Sequence, residues 1–236
     1  MNQTTISPPP PLLSLLEARA PLEGLGLAAF WPWITFVPRG DGRPVVLAPG
    51  YGASDVSMYP LYRYLKCLGY DVHHWGLGRN RGKVSKYVAT LKEHVRELHE
   101  STGETVTLIG WSLGGVVMRE IAREAPELVR EVITMGTPIV GGPKYTRVGE
   151  EFAKRENLDL DRFEIAVHER NMEGIQCPVT SIYSKTDGVV SWRASIDRYN
   201  PQARNVRVPG SHLGLGFNPA VWRVIATTLG TKPGRA

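Results

Sequence analysis

Short apolar runs bounded by turn residues alternate along this chain with longer amphipathic stretches, and this rhythm limits what it can fold into. Pro44–Ala48 (PVVLA), Tyr70–Trp75, Thr105–Ile109, Val129–Met135, Val179–Ser184 and Val206–Val208 read as strands. Residues 56–68, 84–100 and 113–124 read as helices, and a last helix runs from Pro219 to about Leu229. The clearest is 84–100, where Val84, Tyr87, Val88, Leu91, Val95 and Leu98 recur at helical spacing. Strands apolar enough to be covered on both faces, with helices between them, predict an α/β fold. Its central sheet is mostly parallel and flanked by helices.

The rhythm breaks between Gly136 and Pro178. That stretch is polar and mixed, with short helices expected around Arg147–Arg155 and Asp161–Arg170. It is too long for a plain connection, and reads as a small cap or lid at about 138–177. The cap is inserted into a single domain covering 41–236. Residues 1–40 precede that domain. They hold a proline-rich leader (MNQTTISPPPP), a short helix over Leu12–Ala20 and the uncharged run Gly24–Pro38 (GLGLAAFWPWITFVP). The run is too short to span a bilayer. Packing on the body is expected of it, with weak contact to a membrane or lipid interface as the alternative.

Charge and cysteine use narrow the classes further. The net charge is +5, yet Lys and Arg are scattered among acids and no basic run reaches five residues. A nucleic-acid binder would gather them on one face, so no nucleic-acid partner is expected. Cys67 and Cys177 form no CxxC pair and read as free core thiols rather than a metal or redox site. The leader lacks the basic n-region of a secretory signal. Both features point to the cytoplasm.

The chemistry centres on IGWSLGG. Ser112 follows a strand and precedes a helix, with Gly110 and Gly114 two residues to either side. That is the G-x-S-x-G elbow, which lifts a serine hydroxyl above the carboxyl end of a sheet. The bland alternative is a serine that caps the helix. A serine hydroxyl needs a base to become a nucleophile. Among the histidines, His212 follows the last strand in the glycine-rich VPGSHLGLGFNP, and is the base expected. His73 and His74 sit at a strand, His94 and His99 on a helix, and His168 in the cap. Asp187 follows the strand before, in SKTDGVVS, and is the orienting acid, with Asp197 as fallback. The order Ser112, Asp187, His212 is the one this architecture uses. The backbone N–H groups of Leu113 and Tyr51 are the expected oxyanion donors.

With these residues in place, the chain resembles the α/β-hydrolase superfamily on its bacterial lipase and esterase side. The resemblance runs from about Arg43 to Gly230. It rests on VVLAPGYG, LIGWSLGG, VITMGTPIVGG, YSKTDGVVSW and GSHLGLGFNP. It implies an α/β-hydrolase fold, a Ser112–Asp187–His212 triad, oxyanion donors at Tyr51 and Leu113, and no metal or organic cofactor. The sequence departs from the common pattern where PGYG replaces a histidine–glycine pair and where Trp111 stands beside the nucleophile. The implied activity is cleavage of carboxylic esters with apolar acyl groups, small-molecule or lipid, by a carboxylesterase or lipase. Trp111 and Trp192 are expected in the pocket wall. An acyl thioesterase or acyltransferase would use the same triad, and a binding protein with this fold would have lost it.

Overall fold

The computed structural model describes residues 6–230. The first residues of the leader and the last six of the chain lie outside these. Six strands form one sheet: β1 (Pro44–Ala48), β2 (Asp71–His74), β3 (Val106–Trp111), β4 (Val129–Met135), β5 (Val179–Tyr183) and β6 (Arg204–Arg207). Their order is β2-β1-β3-β4-β5-β6, and every pair is parallel. All strands therefore end at the same edge, where open α/β sheets bind ligands. Strand β3 runs past the expected Ile109, because Gly110 and Trp111 still align with Thr134 and Met135 of β4.

The helices are α1 (Pro11–Leu15), α2 (Ala20–Ala29), α3 (Trp31–Thr35), α4 (Asp55–Leu68), α5 (Val84–Thr102), α6 (Leu113–Glu124), α7 (Gly149–Glu156), α8 (Leu160–Met172) and α9 (Pro219–Gly230). Because successive strand residues point to opposite faces, the sheet splits the core in two. Leu47, Ile109, Trp111, Ile133 and Ile182 pack with α4 and α9, through Leu61, Leu65, Val221 and Ile225. Val46, Ala48, Leu108 and Val132 pack with α5 and α6, through Val88, Leu91, Val117 and Ile121. Each such Val, Leu or Ile side chain, buried, stabilises by roughly 1.5–3 kcal/mol. Helix α4 stops at Gly69, whose φ of 99° is the left-handed cap that glycine adopts most readily.

The stretch expected as one helix over Leu12–Ala20 divides into α1, a 3₁₀ turn (Leu16–Arg19) and the start of α2. The uncharged run folds as the rest of α2 and α3. One side of it lies on the body, where Ile34 is fully buried and Leu27 and Val37 pack against the core. The other side leaves Leu25, Phe30, Trp31, Trp33 and Phe36 exposed. Residues 11–36 are called the arm below.

Between β4 and β5 the chain inserts a 3₁₀ turn (Gly142–Tyr145), α7 and α8, called the cap below. Asp159 caps α8 by accepting from Asp161 and Arg162 main-chain N–H groups. Cys67 departs from the expected core thiol by lying at the surface. Burial pushes the Cys177 thiol up to about 12. No helix among the described residues is long and apolar enough to cross a membrane.

Candidate active site

Ser112 stands at the end of β3 with φ 52° and ψ −121°, a conformation rare for a residue with a side chain. Its hydroxyl makes no helix-capping bond, so the bland reading of this serine fails. The turn is tight enough to need its glycines. A Cβ on Gly110 would sit 2.4 Å from Gly115 Cα, and one on Gly114 would sit 2.4 Å from the Ala48 carbonyl oxygen. Thr137 locks the elbow from β4's side, donating its hydroxyl to the Ser112 carbonyl at 2.9 Å.

The other strand ends close on this point. The Ser112 amide donates to the Met135 carbonyl at 2.8 Å. The next residue, Gly136, lies against the acid and the histidine: a Cβ there would be 2.9 Å from His212 Nδ1 and 3.1 Å from Asp187 Oδ2. Asp187 and His212 are buried and joined, Nδ1 to Oδ2, at 2.7 Å. The second Asp187 oxygen accepts from the Val189 and Val190 N–H groups at 2.9 and 2.7 Å, which fixes the carboxylate's orientation. His212 is held above the ordinary imidazole range. Burial works against its charged form, but the Asp187 charge, the hydrogen bond to it and the charge of Glu17 outweigh burial.

The loop after β1 borders the serine. A Cβ on Gly50 would meet Ser112 Cβ at 3.3 Å. Among the described residues, the Tyr51 N–H has no hydrogen-bond acceptor, and the Leu113 N–H opens α6, where helical amides are unpaired. Asn80, fully buried, staples this loop. Its side chain donates to the Pro49 carbonyl at 2.9 Å, its carbonyl accepts from Gly52 at 2.7 Å, and its amide donates to Ala53 at 2.8 Å. Nothing in GLGRNRG marks Asn80 in advance, since its partners are main-chain groups. The same holds for Glu17, whose carboxylate accepts from the His212 N–H at 2.9 Å.

A cleft of about 830 Å³ opens on Ser112 and Leu113 between α5, α6 and the cap. Tyr51, Val88, Val116, Ile139, Phe152, Phe163 and Val167 supply much of its apolar wall, and Arg119, Arg123 and Arg170 with Glu120 and Glu124 make part of it charged. The Tyr51 ring meets Phe152 edge-on at 6.0 Å and its hydroxyl accepts from Arg155, joining the loop after β1 to α7.

Trp111 and Trp192 are not in this wall. Trp111 shares a sheet face with Ile109, opposite the cleft side, and backs His212 at 6.2 Å between ring centroids. Trp192 stacks on Tyr183 at 5.9 Å, with Arg193 over its ring. Asp197 is not the orienting acid, because it forms a buried ion pair with Arg119 at 2.7 Å. The other histidines are engaged elsewhere: His73 with Asp71, His74 on Tyr62, His94 near His73, His99 with the Glu104 carbonyl and His168 with Tyr199.

A parallel sheet with a serine elbow after its third strand, and an acid and a histidine after its last two, defines the class. The family model described as "Alpha/beta hydrolase family" matches residues 45–232, and the chain belongs to that family. Its fold is of the esterase and lipase type. Over 99 residues it is 28% identical to the pimeloyl-[acyl-carrier protein] methyl ester esterase of Aliivibrio salmonicida, covering 42% of this chain and 38% of that protein. The fold is similar to that of a metagenome-derived lipolytic enzyme (LipS and LipT), with TM-score 0.62, 15% identity, and 82% and 96% of the two chains covered. It is similar also to Paleococcus ferrophilus monoacylglycerol lipase, with TM-score 0.60, 17% identity, and 82% and 96% covered.

Proposed function

We propose that this chain is a serine hydrolase that cleaves carboxylic esters with apolar acyl groups. Ser112 attacks the acyl carbonyl while His212 takes its proton. Asp187 holds the imidazole tautomer and stabilises the imidazolium. The negative oxygen of the tetrahedral intermediate faces the N–H groups of Tyr51 and Leu113. His212 returns the proton to the leaving alcohol, water repeats the sequence on the acyl-enzyme, and the carboxylic acid leaves. The reading needs no metal or organic cofactor.

The observation that carries this reading is the serine's backbone. A residue at φ 52° and ψ −121°, with its hydroxyl left off the helix cap, is held there at a cost of about 1–3 kcal/mol. The apolar share of the cleft wall supports acyl chains as the substrate class. Hydrolysis of p-nitrophenyl esters from acetate to palmitate, by the intact protein and by Ser112→Ala, tests it. Activity confined to the intact protein, with an optimum beyond acetate, is expected. Full activity in Ser112→Ala sinks the assignment.

A second reading is favoured by the partial match to the pimeloyl-[acyl-carrier protein] methyl ester esterase. Here the same triad would act on a carrier-borne acyl group, by ester or thioester cleavage. Faster turnover of an acyl-carrier substrate than of the matched p-nitrophenyl ester would favour it.

A further inference from the structure

The arm does more than cover apolar surface. It places two carboxylates against the loops that carry Asp187 and His212. Glu17 is 8% exposed. Its Oε1 accepts from the Gly188 N–H at 2.7 Å and the His212 N–H at 2.9 Å, and its Oε2 accepts from the Leu213 N–H at 2.8 Å. Glu23 accepts from the Ser211 N–H at 2.7 Å. Three successive main-chain amides of the histidine loop, Ser211 to Leu213, thus point at arm carboxylates. This is the concave amide arrangement that favours an anion. One carboxylate bridges the residue after the acid and the base itself.

The arm also grips the acid loop from its other side. Ser14 donates its hydroxyl to the Gly188 carbonyl at 2.9 Å. A Cβ on Gly188 would lie 2.3 Å from the Leu13 carbonyl oxygen, so glycine there is the space the arm occupies. Arg19 donates to Thr186 at 2.6 Å and pairs with Glu23 at 3.0 Å. The family match begins at residue 45, so these contacts come from outside the matched region.

We propose that Glu17 is a positioning residue that sets the Asp187–His212 geometry from the arm. The proposal rests on the triad reading above. Charge-assisted hydrogen bonds to three amides are strong and directional. Losing them lets the two loops move relative to each other, and a misplacement of about 1 Å is enough to cost about 100-fold in rate. The charged or titratable groups facing the imidazole are Asp187 from the β5 loop and Glu17 from the arm. Glu23, paired with Arg19, lies one residue away at Ser211. Gly136 and Trp111, which also pack against His212, carry no charge.

The test compares Glu17→Ala and Glu17→Gln with the intact protein in three measurements. They are steady-state ester hydrolysis across pH, NMR titration of His212, and amide exchange at Gly188, His212 and Leu213. Glu17→Ala is expected to lower kcat about 10–100-fold with KM within about threefold. Removing a negative charge beside the imidazolium also moves the acid limb and the His212 midpoint to lower pH. Glu17→Gln keeps one acceptor oxygen, so it recovers part of kcat but not the midpoint. Unchanged kcat and midpoint in a folded variant, even one with a lowered Tm, overturn the proposal. If Glu17→Ala does not fold, Glu17→Gln decides by its midpoint and exchange alone. If the intact protein hydrolyses no ester, the ester-hydrolase reading fails by itself. The NMR midpoint and amide exchange then still judge whether Glu17 holds the Asp187–His212 pair: a shift supports it and no shift sinks it.

Discussion

The arm and the cap both reach the carboxyl edge of the sheet, but they are fastened differently. The arm contributes buried carboxylates to main-chain amides, with Glu17 8% exposed. The cap's own elements are joined to each other in part by surface ion pairs, while α8 is held to α6 by Arg170 on Glu120 at 2.6 Å and to the Ile139 carbonyl by the buried Asn171. Lys144 reaches Asp161 at 2.6 Å, but the Asp161 side chain is 83% exposed. Arg162 and Asp159, at 3.7 Å, are 89% and 57% exposed. An exposed pair is worth about 0–1 kcal/mol, whereas a buried donor left without its acceptor costs about 1–3 kcal/mol. The named pairs inside the cap therefore add little, whereas each contact of Glu17 would be costly to lose.

Measurements that break or sharpen this contrast fall in order of size. Ser112→Ala is expected to reduce ester turnover by about 10⁴-fold or more without lowering Tm, since the backbone demand at that position is unchanged. Asp187→Asn should lower kcat by about 10³–10⁴-fold, because the imidazole then loses its tautomer-fixing partner; parallel burst kinetics would assign the loss to acylation.

Gly188→Ala drives a Cβ into the arm's backbone and should cost about 1–3 kcal/mol, or roughly 2–10 °C in Tm, by calorimetry. Gly174→Ala at the cap's end has no atom nearer than 3.7 Å, though its φ of 70° still strains an alanine, and should cost less. An equal loss at both positions would erase the distinction between arm and cap. At the small end, Lys144→Ala should change stability by under about 1 kcal/mol while raising amide exchange in α8.

The pH dependence follows from His212. As a base it acts unprotonated, so kcat/KM of the free enzyme should fall as pH drops through a midpoint above the ordinary value of 6.5. The sign for stability is opposite. A histidine raised in the folded state stabilises fully below its unfolded pKa, and that contribution is lost as pH rises through the folded value. Denaturant titrations on either side of neutrality would show it, and His212→Gln should remove it.

Much of the site is legible in the sequence because its side chains follow strands. Ser112, Asp187 and His212 each stand just past a strand, so the rhythm alone places them at one edge. The face of Trp111 was missed because the strand was expected to end at Ile109; once β3 runs on to Trp111, its even spacing from Ile109 turns it away from the α6 side. Trp192 was not, because an aromatic beside the acid loop has the same letter whether it turns inward or stacks on Tyr183. Glu17 and Asn80 were hidden for another reason. Their partners are main-chain N–H and C=O groups, which every residue carries and no motif marks. A carboxylate in LLEAR reads as a solvated face until the opposing amides are in view.

Glu17's partners are also distant along the chain, 171, 195 and 196 residues away. On the ribosome the arm is made before the histidine loop, and its acceptors there stay unmatched until that loop has been synthesised. At about 5–20 residues per second that is a wait on the order of 10–40 s. A segment made early thus docks late, and the loops carrying Asp187 and His212 are secured only after the sheet is complete.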